Sequence, residues 1–493
     1  MVSIEELATF CRKKGFVYPS SEIYGGIKGF YDLGPYGVEL FNNLKNSWWK
    51  YFVNNREDVV GIDASIICNP KVWKASGHLD NFGDLLLTCS KTKEKIRADI
   101  YIEEKLNLNV EGKSIKEINQ IIKDNNLKSP KGHEFEELKN FNLLFPTKVG
   151  ADDDKANTAF LRGETAQGMF TNFKIITDTC RQKIPFGIAQ IGKCFRNEIA
   201  PRDFMFRMRE FTIAEIEYFI HPDENKCDLL TDKHKELKIR LLNSKNQNSD
   251  KNELIDISIE EMLKNNLLDE WHAYWLAEQI FWLLKIGLNK DKLKVREHMQ
   301  DELSHYSSAT FDIDYEFSFG SKEILGNANR TQYDLNQHMK ESKQNLHYFD
   351  EESKKKIIPR VIEPTFGMDR IFLALISEAY NDDKERGNIV LNLDPKIAPI
   401  KIAVFPLVNK LNDKAKEIFN DLKECYNCIY DKSGTVGRRY ARADELGIPF
   451  CVTIDFETLE DDCVTIRNIK DTSQDRIKLN EIKNYIFNKI YNH

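Results

Sequence analysis

The chain has no long hydrophobic run, no excess of positive charge and no glycine-rich phosphate loop. Its longest apolar stretch, AYWLAEQIFWLLKIGL at 273 to 288, carries Glu278, Gln279 and Lys285, which excludes a membrane span. The opening MVSIEELATFCRKKGF lacks the apolar core of a secretory signal and instead places Ile4, Leu7, Ala8 and Cys11 on one helix face. With 71 Lys and Arg against 78 Asp and Glu, the net charge is −7, so any site for a polyanion must be local. The ten cysteines are scattered, and the lone CxxC of Cys425 and Cys428 has no matching pair, since Cys451 and Cys463 stand apart. That pattern predicts reduced thiols, a cytoplasmic home and no structural zinc. Without GxxxxGK followed by Ser or Thr, and without GxGxxG, neither a P-loop nor a Rossmann cofactor site is supported. HEFEE at 133 is not HExxH, and there is no repeat of solenoid period.

What is present reads as an ordinary globular chain, 493 residues with 41% hydrophobic and 30% charged content, long enough for two or three domains. EIYGGIKGFYDLGPYG at 22 to 37 reads as turns, followed by a helix from Val38 to about Phe52 and a strand at 59 to 68 stopped by Pro70. Residues 102 to 140 and 221 to 295 differ in texture and read as insertions, the second holding an exposed loop, SKNQNSDKNE. Two prolines in NLDPKIAP mark a boundary near 395. Beyond it, strand, helix and strand alternate, which predicts a small α/β domain over 396–493 after a catalytic domain over 1–395. The expected class is α+β, an antiparallel sheet flanked by helices with a mixed C-terminal domain.

KCFRNEIAPRDFMFRMREF, residues 193 to 211, sets four arginines and a lysine among aromatics. Buried cations are costly without partners, so the stretch expects an anion. Read as strands over 186 to 198 and 207 to 220, the second puts Arg207, Arg209, Phe211, Glu215 and Glu217 on one face. Ala214, Ile216, Tyr218 and Ile220 fall on the other. Arginines grip phosphate bidentately, an aromatic ring stacks on a base, and a carboxylate accepts from an exocyclic amine, so the polar face suits a nucleoside triphosphate.

FRNE, a loop, then RMREF and Glu215 resemble motif 2 of the class II aminoacyl-tRNA synthetases. EPTFGMDRIFLAL at 363 to 375 is similar to motif 3 of that class, and residues 38 to 70 to motif 1. EIYGGIKGFYDLGPYG, VVGIDASIICNPKVWKASGH, RAD at 97 to 99, RGETAQGMFTNF, REHMQDELSHYS, GNANRTQYDL and GRRYARADELGIPFCVTID resemble the homodimeric glycyl-tRNA synthetases in order and spacing. The resemblance implies a homodimer that activates glycine with ATP and magnesium and passes it to the terminal ribose of tRNA(Gly), without a membrane. Arg196 would hold the α-phosphate, Glu198 the adenine amine, Phe211 the adenine face, and Arg207 and Arg370 the outer phosphates. Asn197, Phe206, Met208, Arg209, Glu210, Ile324, Gly367 and Asp369 complete the implied ATP site, and Glu323 would meet magnesium. Around the glycine ammonium it implies Glu164, Glu215 and Glu363, with Phe211, Thr365 and Gly367 nearby and Arg97 or Arg296 on the carboxylate. Arg438, Arg439, Arg442, Arg467 and Arg476 cluster in the acidic chain's C-terminal domain and are the expected tRNA contacts.

Three departures from the family pattern bear on pocket tightness rather than on charge: Gly163 for proline, Thr365 for serine and Ser321 for tryptophan. A competing reading is a noncatalytic synthetase-like protein, either an RNA-binding regulator or a polymerase accessory subunit. Retention of Arg196, Glu198, Arg207 and Arg370 argues against it.

Overall fold

A computed structural model describes residues 2–108, 110, 113–151, 158–247 and 253–491. Helix α1 (Pro35–Trp49) opens on Gly34 with Pro35 at its first position, where a missing N–H costs nothing. It buries Leu40, Phe41, Leu44 and Trp48 at three- and four-residue spacing and widens into a π-turn over Lys50–Asn54. The helix thus starts earlier than expected. Its glycine-rich entry is forced by crowding, since a Cβ on Gly37 would lie 1.8 Å from the Phe16 carbonyl oxygen.

A nine-stranded sheet carries the larger, N-terminal part of the chain. Its strands are β1 (Val59–Gly61), β2 (Phe186–Phe195), β3 (Glu210–Ile220), β4 (Lys238–Leu242), β5 (Ile255–Ser258), β6 (Leu293–Glu297), β7 (Ala309–Phe317), β8 (Gly320–Thr331) and β9 (Arg360–Gly367). In space they run β5-β4-β6-β7-β8-β9-β3-β2-β1, antiparallel except for the β1–β2 and β4–β6 pairs. One face packs the alternate residues Ala214, Ile216 and Tyr218 of β3 against α1 and against α3 (Glu270–Lys285), with Trp48, Trp275 and Trp282 fully buried. The opposite face is covered at one end by α2 (Ala166–Cys180) and α4 (Tyr333–Ser342), through Phe170, Phe173, Phe219 and Leu335. At its other end that face is open.

Several boundaries move. β1 stops at Gly61 instead of running to residue 68, and a helix begins at Pro70. β2 ends before Arg196, and β3 begins at Glu210, so Arg207 and Arg209 lie in the connecting loop rather than on the strand. The expected insertion at 102 to 140 is part of a larger unit. Strands Gly83–Thr88, Lys95–Arg97 and Lys139–Asn142 join its helices around a separate core of Leu87, Tyr101, Ile102, Ile118 and Leu138. The segment 221 to 295 is not peripheral: it supplies β4, β5, β6 and the core helix α3. Of SKNQNSDKNE, Ser244–Gln247 form a short helix, and residues 248–252 lie outside the described residues.

From Ile402 a second sheet begins, with strands β10 (Ile402–Pro406), β11 (Cys428–Tyr430), β12 (Phe450–Ile454), β13 (Cys463–Asn468) and β14 (Gln474–Lys478) in the order β11-β10-β12-β13-β14. The first three are parallel and the last two antiparallel, which fits strand–helix–strand crossovers followed by a hairpin. One face holds α6 (Asn412–Leu422) and α8 (Ile482–Tyr491); the other, with α7 (Val436–Glu445), continues the core of the N-terminal part through Phe405, Cys451 and Ala443. At the junction the Lys401 ammonium donates to the carbonyls of Pro395, Lys396 and Ala398, and Lys14 pairs with Glu445 at 2.6 Å. Among the described residues no helix is long and apolar enough to cross a membrane.

Candidate functional site

Directly paired residues of an antiparallel sheet project to the same face. The register therefore aligns Gln190, Glu215, Thr365, Gly326, Asp312 and Arg296 in one row across six strands, on the face left open. Gly326 leaves a gap in the middle of that row, and a methyl there would meet nothing closer than Asp312 at 3.8 Å. On one side of the row lies an arginine-lined cleft; on the other, a buried group of acids.

The cleft is lined by Arg196, Glu198, Phe206, Arg207, Met208, Phe211, Glu323, Thr365, Gly367, Asp369 and Arg370, all named from the sequence. Arg196 sits between the rings of Phe82 and Phe211, its guanidinium carbon 5.2 and 5.3 Å from their centres. Arg370 lies 4.5 Å above Phe206, donates to the Glu323 carbonyl and pairs with the Glu323 carboxylate at 3.0 Å. Desolvation raises the Glu323 pKa, but Arg370 outweighs it and holds the carboxyl below its ordinary range. Asp369, in the first turn of α5 (Met368–Ala379), accepts from the Thr212 amide and is pushed up to about 6 by burial. Asn197, Arg209, Glu210 and Ile324 do not line the cleft. Arg209 instead ties down the loop ahead of β3 by donating to the carbonyls of Glu198 and Lys28, and Glu210 pairs with Lys193 on the strand's far side. Met205, Thr212, Ile213 and Gly326 line it without having been singled out.

The acid group holds Glu164, Glu215, Glu217, Asp334 and Glu363, all buried. One guanidinium serves them. Arg330 donates to both oxygens of Asp334 at 2.9 Å and to Glu363 at 2.8 Å, and lies 3.9 Å from Glu164. His78 is 3.2 Å from Glu164, and Thr165 donates its amide to Glu215 at 2.9 Å. Both carboxyl oxygens of Glu217 are buried without a partner. Burial, reinforced by Glu363, raises the Glu217 pKa well above the ordinary value. Burial, reinforced by Glu164, raises that of Glu215. Glu363 is pushed up to about 8 by burial, with Glu215 and Glu164 adding to it and Arg330 opposing. In Glu164 burial is overcome by His78 and Arg330, which hold its carboxyl low. Arg330, Asp334 and His78 were missed as site residues, although GNANRTQYDL and the SGH of 76 to 78 had stood out as motifs. Only their convergence in space reveals the role.

Arg97 and Arg296 do not offer free guanidiniums to this group. Arg97 is taken by Asp99 at 2.7 Å and Asp84 at 3.4 Å, and Arg296 by Asp312 at 2.7 Å and Glu302 at 3.0 Å. The five C-terminal arginines also divide. Arg439 and Arg467 are buried, the first on the carbonyls of Pro406, Lys432 and Gly434, the second bidentate on Asp444 at 2.8 and 3.0 Å. They hold the domain together and cannot meet RNA as placed. Arg442 pairs with Asp431, and Arg476 with Asp455 and Asp461. Arg438, at the start of α7, is exposed and makes no ion pair among the described residues.

A largely antiparallel sheet bearing an arginine-lined cleft beside a buried group of acids, continued by a mixed α/β domain, defines a class II aminoacyl-tRNA synthetase. Residues 401–489 match the family model described as an anticodon binding domain. The chain is 42% identical to the glycine–tRNA ligase of Caldanaerobacter subterraneus subsp. tengcongensis, covering 99% of each chain. It is also 42% identical to that of Acetivibrio thermocellus over 99% of this chain and 98% of the relative. With the Geobacillus thermodenitrificans glycine–tRNA ligase the identity is 41%, again over 99% and 98%. The chain belongs to the glycine–tRNA ligase family.

The acid group fixes the sign of one pH effect. Between the ordinary glutamate value of 4.5 and about 8, folded Glu363 keeps a proton that the unfolded chain has released. Its contribution to stability is therefore greatest at the acid end and is lost as pH rises through about 8. Thermal unfolding of the ligand-free protein, followed from about pH 6 to about pH 8.5, should lose stability faster than that of Glu363→Gln, whose amide does not titrate. Parallel pH profiles would contradict the assignment.

Proposed function

We propose that the chain joins glycine to tRNA(Gly) in two steps, with ATP as the energy source. The observation that carries the reading is the adjacency of opposite charges on one sheet face, a cleft of arginines bordering a pocket of carboxylates. Glycine has a cationic end and an anionic end and nothing else. Its ammonium belongs among Glu164, Glu215 and Glu363, which turns its carboxylate toward the cleft and Arg196. A carboxylate oxygen then attacks the α-phosphorus of ATP, the bond from that phosphorus to the bridging oxygen breaks, and pyrophosphate leaves. The carboxylate is already a nucleophile, so no general base is required and catalysis rests on positioning and charge stabilisation.

Arg196, fixed between two rings with one N–H on the Gly163 carbonyl, is pre-oriented to meet the α-phosphate. Phe211 presents a face for adenine, and Arg207 and Arg370 stand for the outer phosphates. Magnesium fits the residues present. Among the described residues no three His, Cys, Asp or Glu are grouped to hold a metal alone, but the Glu323 carboxylate stands at the cleft, partly exposed. An ion held by Glu323, phosphate oxygens and water matches magnesium's habit, and it would neutralise charge on the phosphates when bound. In the second step the 3′-terminal ribose hydroxyl attacks the glycyl carbonyl and AMP departs, while Arg438 on α7, exposed and without an ion pair among the described residues, is offered to the tRNA. The work belongs in the cytoplasm with the rest of translation.

We infer that the acting form is a homodimer. Val38 on α1 is exposed, and with Leu33, Phe41 and Ile66 it lines a groove beside β2, an arrangement that suits a second copy. Sedimentation at micromolar concentration should give a dimer, and a fully active monomer would contradict it. Glycine-dependent ATP–pyrophosphate exchange should occur with the unaltered protein and fall by about 10²–10³ in Arg196→Ala, the loss typical of one preorganised charge-stabilising donor. Exchange unaffected by the substitution would remove Arg196 from the α-phosphate.

A further inference from the structure

The reaction as read above leaves one question of selectivity. The acids hold an ammonium and the cleft takes a carboxylate, yet L-alanine and L-serine carry both. Something must occupy the space into which a substrate side chain would project. The floor is known: Thr365 and Gly326 on neighbouring strands, with Glu215 beside them.

Arg330 shows what lies above. Its edges are filled by Asp334 and Glu363, and two rings lie against it, Phe170 of α2 at 5.3 Å and Tyr306 at 3.8 Å. Phe170 belongs to the fully buried core beneath the sheet. Tyr306 comes from the irregular segment 298–308, between β6 and β7, and packs its ring onto the guanidinium that serves the acids. At 3.8 Å the ring is in van der Waals contact with the guanidinium, the closest arginine–ring approach among the described residues. Tyr306 is half-buried, and desolvation of its phenol, reinforced by Glu363 and Glu164 and opposed by Arg330, pushes its proton affinity up.

The segment is pinned at both ends. At its start His298 bonds Asp312 at 2.7 Å, and Glu302 accepts from Arg296 at 3.0 Å and from the Met299 amide at 2.9 Å. Arg296 and Asp312 therefore anchor the segment to the same row that forms the pocket floor. Near its end His305 bonds the Ser76 carbonyl at 3.2 Å, two residues from His78, while Ser308 donates its amide to Asn329, the neighbour of Arg330. This gives Arg296, His298 and the REHMQDELSHYS motif a shared purpose that the nucleotide cleft does not supply.

We propose that Tyr306 is a specificity-determining residue, a roof over the amino-acid pocket that fixes Arg330 and fills the volume a substrate side chain would need. The inference rests on the reading of the acid group as the glycine pocket. Ring stacking and volume filling are both at work, so Tyr306→Phe should retain them and Tyr306→Ala should lose both.

The test measures kcat/KM for glycine and for L-alanine in ATP–pyrophosphate exchange, for the unaltered protein and each variant. In Tyr306→Ala the preference for glycine over L-alanine should fall by about tenfold or more, the order expected where one methyl decides entry. Tyr306→Phe should keep the preference of the unaltered protein. A preference unchanged in Tyr306→Ala, even with both rates reduced, would overturn the proposal and leave the ring a structural prop. Should that variant fail to fold, Tyr306→Val removes the flat face and most of the ring's volume while keeping an apolar side chain, and an undiminished preference there overturns the proposal equally. Absence of glycine-dependent exchange in the unaltered protein would instead overturn the reading of the pocket, and this inference with it.

Discussion

Five buried carboxylates around a single guanidinium is an arrangement that water-exposed chains avoid, because each uncompensated charge in a low-dielectric interior is costly. Here the cost is met in part by Arg330, in part by His78 beside Glu164, and in part by protons retained on Glu217 and Glu363. The folded chain is thus short of positive charge at one place. A small cation entering that place would complete it, and the ammonium of the proposed substrate is such a cation. Much else in the catalytic half follows from holding these acids together against their repulsion.

The nine-stranded sheet makes this possible by geometry. Glu215 and Glu217 on β3 and Glu363 on β9 come from neighbouring antiparallel strands, Glu164 arrives at the start of α2, and Arg330 closes the group from the end of β8. Rigid strands can keep like charges close where a loop would let them part. Four to six residues along the same strands the chemistry reverses sign: Phe211 and Gly367 open onto Arg196, Arg207 and Arg370. A molecule with one cationic and one anionic end spans that gradient in only one orientation, with its carboxylate toward the arginines that the proposed function gives to ATP. The departures at Gly163 and Thr365 sit near this boundary. A Cβ at Gly163 would meet the Phe82 ring at 3.0 Å, so glycine there gives room to the ring that flanks Arg196.

The alternation in RMREFTIAEIEYFI was enough to separate the packing face from the acidic face of β3, and FRNE with MDR was enough to place the cleft arginines. These are local signals, legible because strand periodicity and charge type carry them directly. Arg330, Asp334 and His78 were not legible, since apart from the Arg330–Asp334 pair four residues apart their acid and amide partners lie 33 to 167 positions away in chain number, and nothing about an isolated arginine tells which acids it will face. The C-terminal arginines failed for the opposite reason. A basic cluster in an acidic chain reads as an RNA face, but Arg439 and Arg467 point inward and spend their donors on carbonyls and Asp444. Burial separates a structural arginine from a binding one, and the sequence does not display it. The same holds for 221 to 295, whose polar opening hid the core helix α3 behind it.

The central claim is that the acid group is completed by the substrate's ammonium, and proton release on binding tests it most directly. Glycine would be titrated into the protein calorimetrically near neutral pH, in buffers of different ionisation enthalpy, with glycolate as the isosteric acid lacking the ammonium. The account predicts a buffer-dependent heat corresponding to protons released as Glu217 or Glu363 ionises against the incoming charge, and no binding of glycolate. Heats independent of buffer, or glycolate binding as well as glycine, would contradict it.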